Sequence, residues 1–110
     1  MYNKIYYPYP ATNKQNKFFI ITSDGKKINF GAYGYSDFTI HKDNERKLRY
    51  IKRHQERENW GKSGINTAGW WSYHFLWKYE TKEEAYEKIK DKLLKWDIIT
   101  KEQYDEYKFK

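Results

Sequence analysis

Two apolar runs parted by a polar turn open the patterned part of the chain. Phe18, Phe19, Ile20 and Ile21 make the first, and Ile28 and Phe30 alternate with polar residues in the second. Asp24-Gly25 lies between them, a residue pair suited to a tight hairpin turn, so 17–33 is predicted as a β-hairpin. Gly31 and Gly34 break the second strand, and YSDFTIH continues as an ordered loop or short strand. The period then shifts from two toward 3.6. Asp43 is placed to cap a helix with Glu45 in its first turn; this helix is expected to run to about Asn59 and stop at WGKSG. Thr67 can cap a second helix, AGWWSYHFLWK. The alternation of Trp71, Tyr73, Phe75 and Trp77 also fits a strand there, but the helix is favoured. Thr81 and Glu84 predict a capping box for a third helix, with Ala85, Ile89, Leu93 and Trp96 along one face. Thr100 with Gln103 caps a short last one.

These elements predict an α+β fold: one small domain in which an N-terminal β-hairpin packs with three to four short helices. Residues 1–16, MYNKIYYPYPATNKQN, are polar and aromatic with two prolines. They are expected to form a flexible Tyr/Pro arm, able to pin to a neighbouring subunit. Residues 17–80 form the α+β core and 81–110 a C-terminal amphipathic helical pair. No apolar run approaches the roughly 20 residues that cross a bilayer, and the N-terminus shows no secretory h-region.

Composition alters the picture of the core. Of the 110 residues, 21% are aromatic, with 12 Tyr, 6 Phe and 5 Trp, so rings must do the filling that aliphatics do elsewhere. For that reason most of Trp70, Trp71, Trp77 and Trp96 read as core. Trp60, just past the basic helix, is the ring that could stack on a base. There is no cysteine, which removes disulfides and thiolate metal sites.

Charge is segregated. The net of +7 falls wholly in residues 1–80, with ten Lys and four Arg against seven acids, while 81–110 balance eight Lys with eight acids. All four arginines lie between Arg46 and Arg57. On a helix at about 100° per residue, Lys42, Arg46, Arg49, Arg53 and Arg57 share an arc of about 80° and form a ridge of about 22 Å. Leu48, Tyr50, Ile51 and His54 are expected on the core side. Arg presents a planar fork that binds phosphate at two points, and such a ridge can meet several phosphates of a nucleic acid. With Lys52, Trp60 and Lys62 added, the candidate nucleic-acid-binding set is Lys42, Arg46, Arg49, Lys52, Arg53, Arg57, Trp60 and Lys62. The competing reading is a helix neutralised by its own i,i+4 pairs, Glu45 with Arg49 and Lys52 with Glu56.

His41, Asp43, His54 and Glu58 form a possible metal set for a nuclease, but no spacing such as H-E-x-x-H fixes it. A His–carboxylate hydrogen bond is the favoured reading. No Gly-rich phosphate loop is present. Catalytic and metal residues are therefore assigned as none, with no cofactor and no small-molecule substrate.

The segments KINFGAYGYSDFTIHKDNERKLRYIKRHQERENW and TAGWWSYHFLW carry a distinctive set: Phe30-Gly31-Ala32, Tyr35 with Asp37-Phe38-Thr39, His41-Lys42-Asp43, Arg46 or Arg49 with Tyr50, Arg53-His54, Thr67 with Gly69 and Ser72, and Leu76-Trp77. Over 27–78 the chain resembles an uncharacterised family of small proteins encoded by giant nucleocytoplasmic large DNA viruses. Ala68 stands where that family often has proline. The resemblance implies a viral source and permits a role in the virion interior or the cytoplasmic virus factory; it implies no enzymatic activity.

The combined expectation is a non-enzymatic, non-sequence-specific DNA-binding protein that condenses or packages a viral genome. Copies would join through the C-terminal helices or the arm, with no membrane partner. Histidine protonation would raise the charge, and with it DNA affinity, at low pH. The alternatives are a capsid or core scaffold that binds protein, and a metal-dependent nuclease.

Overall fold

A computed structural model describes residues 2–110. Met1, the first residue of the expected arm, lies outside them. The hairpin forms as predicted: β2 (Asn16–Ile21) pairs antiparallel with β3 (Lys27–Ala32), Phe18 opposite Phe30 and Ile20 opposite Ile28. Gly25 takes φ +86° in the connecting loop, and the Thr22 amide donates to the Lys26 carbonyl at 2.8 Å.

The 1–16 segment does not hang free as an arm. Its residues Tyr9–Pro10 form a short strand, β1, on the outer edge of β2, with Tyr9 opposite Phe19. The run Phe18-Phe19-Ile20-Ile21 explains why. It is apolar on both faces, so both need cover. Phe18 and Ile20 face the helices; Phe19 points the other way and is fully buried under the rings of Tyr2 and Tyr9. A proline can sit in β1 because an edge strand does not need every N–H. Further in, Tyr6 is buried at φ 51°. Its amide donates to the Ile21 carbonyl at 2.8 Å and its hydroxyl to Asn66 Oδ1 at 2.6 Å.

Five α-helices follow among the described residues. YSDFTIH becomes a helical turn, α1 (Phe38–His41), and not a strand. Asp37 decides this. Its buried carboxylate accepts from the Thr39 amide and hydroxyl and from Lys17 Nζ at 2.6 Å. Next comes α2 (Asn44–His54), capped by Asp43 as predicted. After a 3₁₀ turn at Lys62–Gly64, Thr67 caps α3 (Ala68–Trp71), which widens into a π-helix over Ser72–Trp77. The Lys78 amide reaches back five residues to the Tyr73 carbonyl, 2.9 Å. Helix, not strand, is therefore correct for AGWWSYHFLWK. α4 (Lys82–Lys95) starts at Thr81, whose side chain accepts from the Glu84 amide. α5 (Lys101–Glu106) starts on a reciprocal capping box of Thr100 and Gln103.

α3 and its π continuation form the centre. Trp70, Trp71, Phe75 and Leu76 are buried, pressed on one side by Phe18 and Phe30 of the sheet and on the other by Ala85, Tyr86, Ile89 and Leu93 of α4. Gly31 lies at φ +75°, and a Cβ there would sit 2.9 Å from Leu76 Cδ1, so the sheet and α3 approach closely at this point.

The C-terminal pair docks on the same core. The buried Lys90 Nζ donates to the carbonyls of Tyr104 and Tyr107 at 3.1 and 2.7 Å, satisfying the orphan acceptors at the end of α5. Phe109 packs on Phe75. Tyr6 of the 1–16 segment and Ala85, Tyr86, Ile89 and Leu93 of α4 are thus buried within the chain, while Tyr2 stays about half exposed and α5 has no buried residue.

Candidate nucleic-acid interface

α2 is fastened along one side only. Tyr50 is buried, its ring stacked on Trp77 and on His54, both at 4.3 Å. Lys47 turns inward: Nζ donates to the Lys78 carbonyl at 2.7 Å and lies 4.7 Å from the centre of the Phe38 ring. Ile51 is half-buried. Leu48, expected on this core side, is 64% exposed, because Tyr50 and Lys47 set the anchored face and Leu48 falls beyond it.

The other flank carries the guanidinium groups. Arg46, Arg49, Arg53 and Arg57 are all exposed, as is Lys52. Among the described residues no arginine lies within 4.0 Å of a carboxylate. The self-neutralising pairs Glu45–Arg49 and Lys52–Glu56 are not formed, so the segment's positive charge reaches solvent.

The ridge is shorter than the sequence suggested. Lys42 precedes the cap of α2 and takes φ 55°; its ammonium folds onto the Thr39 carbonyl at 2.8 Å, closing the end of α1. It is exposed but out of helical register. The helix ends at His54 and not near Asn59: the Arg57 amide turns back three residues to the His54 carbonyl instead of four to Arg53. Arg57 therefore stands in the turn, with Nη2 on the Arg53 carbonyl at 3.0 Å. Arg46, Arg49 and Arg53 are the true helical row, about 10 Å long, flanked by Lys52 and extended by Arg57. Lys62 is exposed at the start of the 3₁₀ turn.

Trp60 is not a free platform. Its ring stacks on Tyr73 at 3.9 Å and lies parallel to Tyr50 at 6.4 Å. Its Nε1 is buried without a partner. It belongs to the aromatic stack that locks the loop after α2 against α3.

The possible metal set is not assembled. The His41 Nδ1 accepts from the Asp43 amide at one end of α2, and His54 Nδ1 lies 4.0 Å from Glu58 Oε1 at the other. Glu58 also lies against Gly69 of α3, where an added Cβ would meet its carboxylate. Among the described residues no three His, Asp or Glu converge as metal ligands.

All three histidines are shifted away from charging. Burial, then the Arg46 charge, lowers His41; burial, then Arg57, lowers His54; burial takes His74 down to about 4. Mild acid therefore adds less charge to this surface than three ordinary histidines would.

One feature escaped the sequence reading. Tyr33 and Tyr35 flank Gly34, which takes φ +88°, and stand 67% and 74% exposed. With Lys17, Ser36 and Ile40 they line a shallow, open depression of about 500 Å³ beside α1. The signal was present as two rings either side of a glycine in a stretch otherwise read as a strand break.

A family model described as "Family of unknown function (DUF5754)" matches residues 9–54. The match runs from β1 to the last residue of α2, so it takes in the sheet, the Tyr33–Tyr35 loop and the helical arginine row. Arg57, Trp60, Lys62 and the central helix α3 lie outside it. No curated protein and no solved structure matches the chain.

Proposed function

We propose that this protein binds nucleic acid through phosphate contacts made by the exposed flank of α2, without reading sequence, and that it serves to condense or package DNA. The supporting observation is the state of the arginines: four in twelve residues, all exposed, none within 4.0 Å of a carboxylate among the described residues. A buried Tyr50 and an inward Lys47 fix the orientation of the helix, so the row is presented on a rigid support. Guanidinium groups spaced one turn apart suit the phosphates of a polyanion, and contacts of this kind position a protein without specifying bases. The resemblance to small giant-virus proteins makes a viral genome the natural target and the virion interior or virus factory the place of action. No catalytic step is assigned.

The test is duplex binding over a salt series. If Arg46, Arg49, Lys52, Arg53 and Arg57 each neutralise one phosphate, log K falls with log salt at a slope of about −4.5. The Arg49→Glu/Arg53→Glu variant is expected to reduce that slope by about 2 and to weaken binding in proportion at low salt. Binding that ignores salt, or a double variant that binds like the parent, overturns the reading. Retention of a co-purifying protein with no affinity for DNA would point instead to the scaffold role.

A further inference from the structure

The Tyr33–Tyr35 depression stands apart from the rest of the chain's aromatic surface. Almost every ring in this ring-rich protein is packed against another, whereas these two lie open on either side of a left-handed glycine. Their exposure is built into the backbone. The Tyr33 amide is held by the Gln15 carbonyl at 2.9 Å and the Tyr35 amide by the Ala32 carbonyl at 3.3 Å. The loop therefore projects both rings from the end of β3.

The depression is joined to the arginine flank by α1. Ile40 lines the depression, His41 follows it at the end of α1, and Arg46 stands in the first turn of α2. The Lys17–Asp37 ion pair fixes the start of α1 at the rim of the depression. An apolar, ring-lined hollow leading into a row of unpaired cations has the two chemistries of a single strand: bases with π-faces, and phosphates. A duplex offers only the second, since its bases are stacked within.

We propose that the Tyr33–Tyr35 depression is a base-stacking site, and that the protein holds single-stranded nucleic acid with bases on these two rings and the backbone led along Arg46 and Arg49. This rests on the phosphate-binding role assigned to α2 and adds a strand preference to it. Stacking on aromatic side chains tolerates any base, so the preference is for unpaired strands, not for a sequence.

The test compares a labelled oligothymidine of about 12 nucleotides, within the site size of such surfaces, with a hairpin duplex of equal charge. The single strand is expected to bind more tightly. Tyr33→Ala/Tyr35→Ala should weaken single-strand binding about tenfold per ring and leave duplex affinity and its salt slope unchanged. Tyr33→Phe/Tyr35→Phe, which keeps both ring faces, should restore the single-strand affinity. A double Ala variant that binds the single strand like the parent overturns the inference, as does an equal loss for both ligands. If the duplex binds with the expected slope and the single strand binds no better, this inference fails and the α2 reading stands. If neither binds, both fall.

Discussion

Acid should weaken this protein's fold chiefly through the histidine at its centre, the most strongly shifted of the three. His74 sits in the π-helical stretch, 4% exposed, with the Trp70 ring 4.1 Å away. Its Nε2 lies 2.9 Å from the Trp60 carbonyl. A carbonyl can only accept, so Nε2 carries the proton and Nδ1 is the atom that would take a second. Nδ1 is buried with no partner. Burial is the main cause of the shift to about 4; the Trp60 bond opposes it, and the Lys78 and Lys92 charges add to it. Unfolded, the same side chain takes its proton near pH 6.5. The folded pKa is the lower of the two, so its contribution to stability is complete above about pH 6.5 and is lost as pH falls toward 4. At about 1.4 kcal/mol per unit, the loss by pH 4 is about 3 kcal/mol, a large share of the stability of a domain this size. Urea unfolding followed by tryptophan emission, at steps between neutral pH and pH 4, measures it. The control is His74→Gln, whose amide can still donate to the Trp60 carbonyl but does not titrate. Its absolute stability can differ; its pH dependence should be shallower by about 3 kcal/mol, which is about 1.5 M in urea midpoint at a typical m-value. Parallel curves for the two proteins would refute the assignment of the buried, neutral ring.

Three further outcomes are expected. Gly31→Ala should destabilise by about 1–3 kcal/mol, from a left-handed φ and a Cβ pressed on Leu76, and thermal unfolding will show it; an unchanged melting temperature would mean that the sheet and α3 do not meet as closely as described. Lys17→Met leaves the Asp37 carboxylate buried without its cation and should cost about 3–5 kcal/mol; the same change on an Asp37→Asn background should cost much less, and equal costs would show that the pair is not coupled. Lys90→Met removes the donor to the Tyr104 and Tyr107 carbonyls and should raise hydrogen exchange in α5 before the rest of the chain, with uniform exchange across the domain as the contrary result.

Local signals carried far in this sequence. Asp24-Gly25 gave the hairpin, and Asp43, Thr67, Thr81 and Thr100 each placed a helix start, because turns and caps are decided by a residue and its near neighbours. The ring-built core and the exposed side of the arginines were legible for the same reason: periodicity assigns faces. What a single helix could not say was which of its faces would be anchored, or how far it would run. That depended on partners distant in sequence. Lys78 drew Lys47 inward, Trp77 buried Tyr50, and Leu48 was left outside. Trp60 was taken by Tyr73 for the same reason. The 1–16 segment reads as an arm only until Phe19 is seen to face away from the core and to need Tyr2 and Tyr9 above it. Sequence alone determined the hairpin turn, the helix starts at Asp43, Thr67, Thr81 and Thr100, and the placement of charge, since these follow from neighbours along the chain. The tertiary structure decided which rings and cations stay open to a ligand, because exposure is what remains after every distant contact has been made.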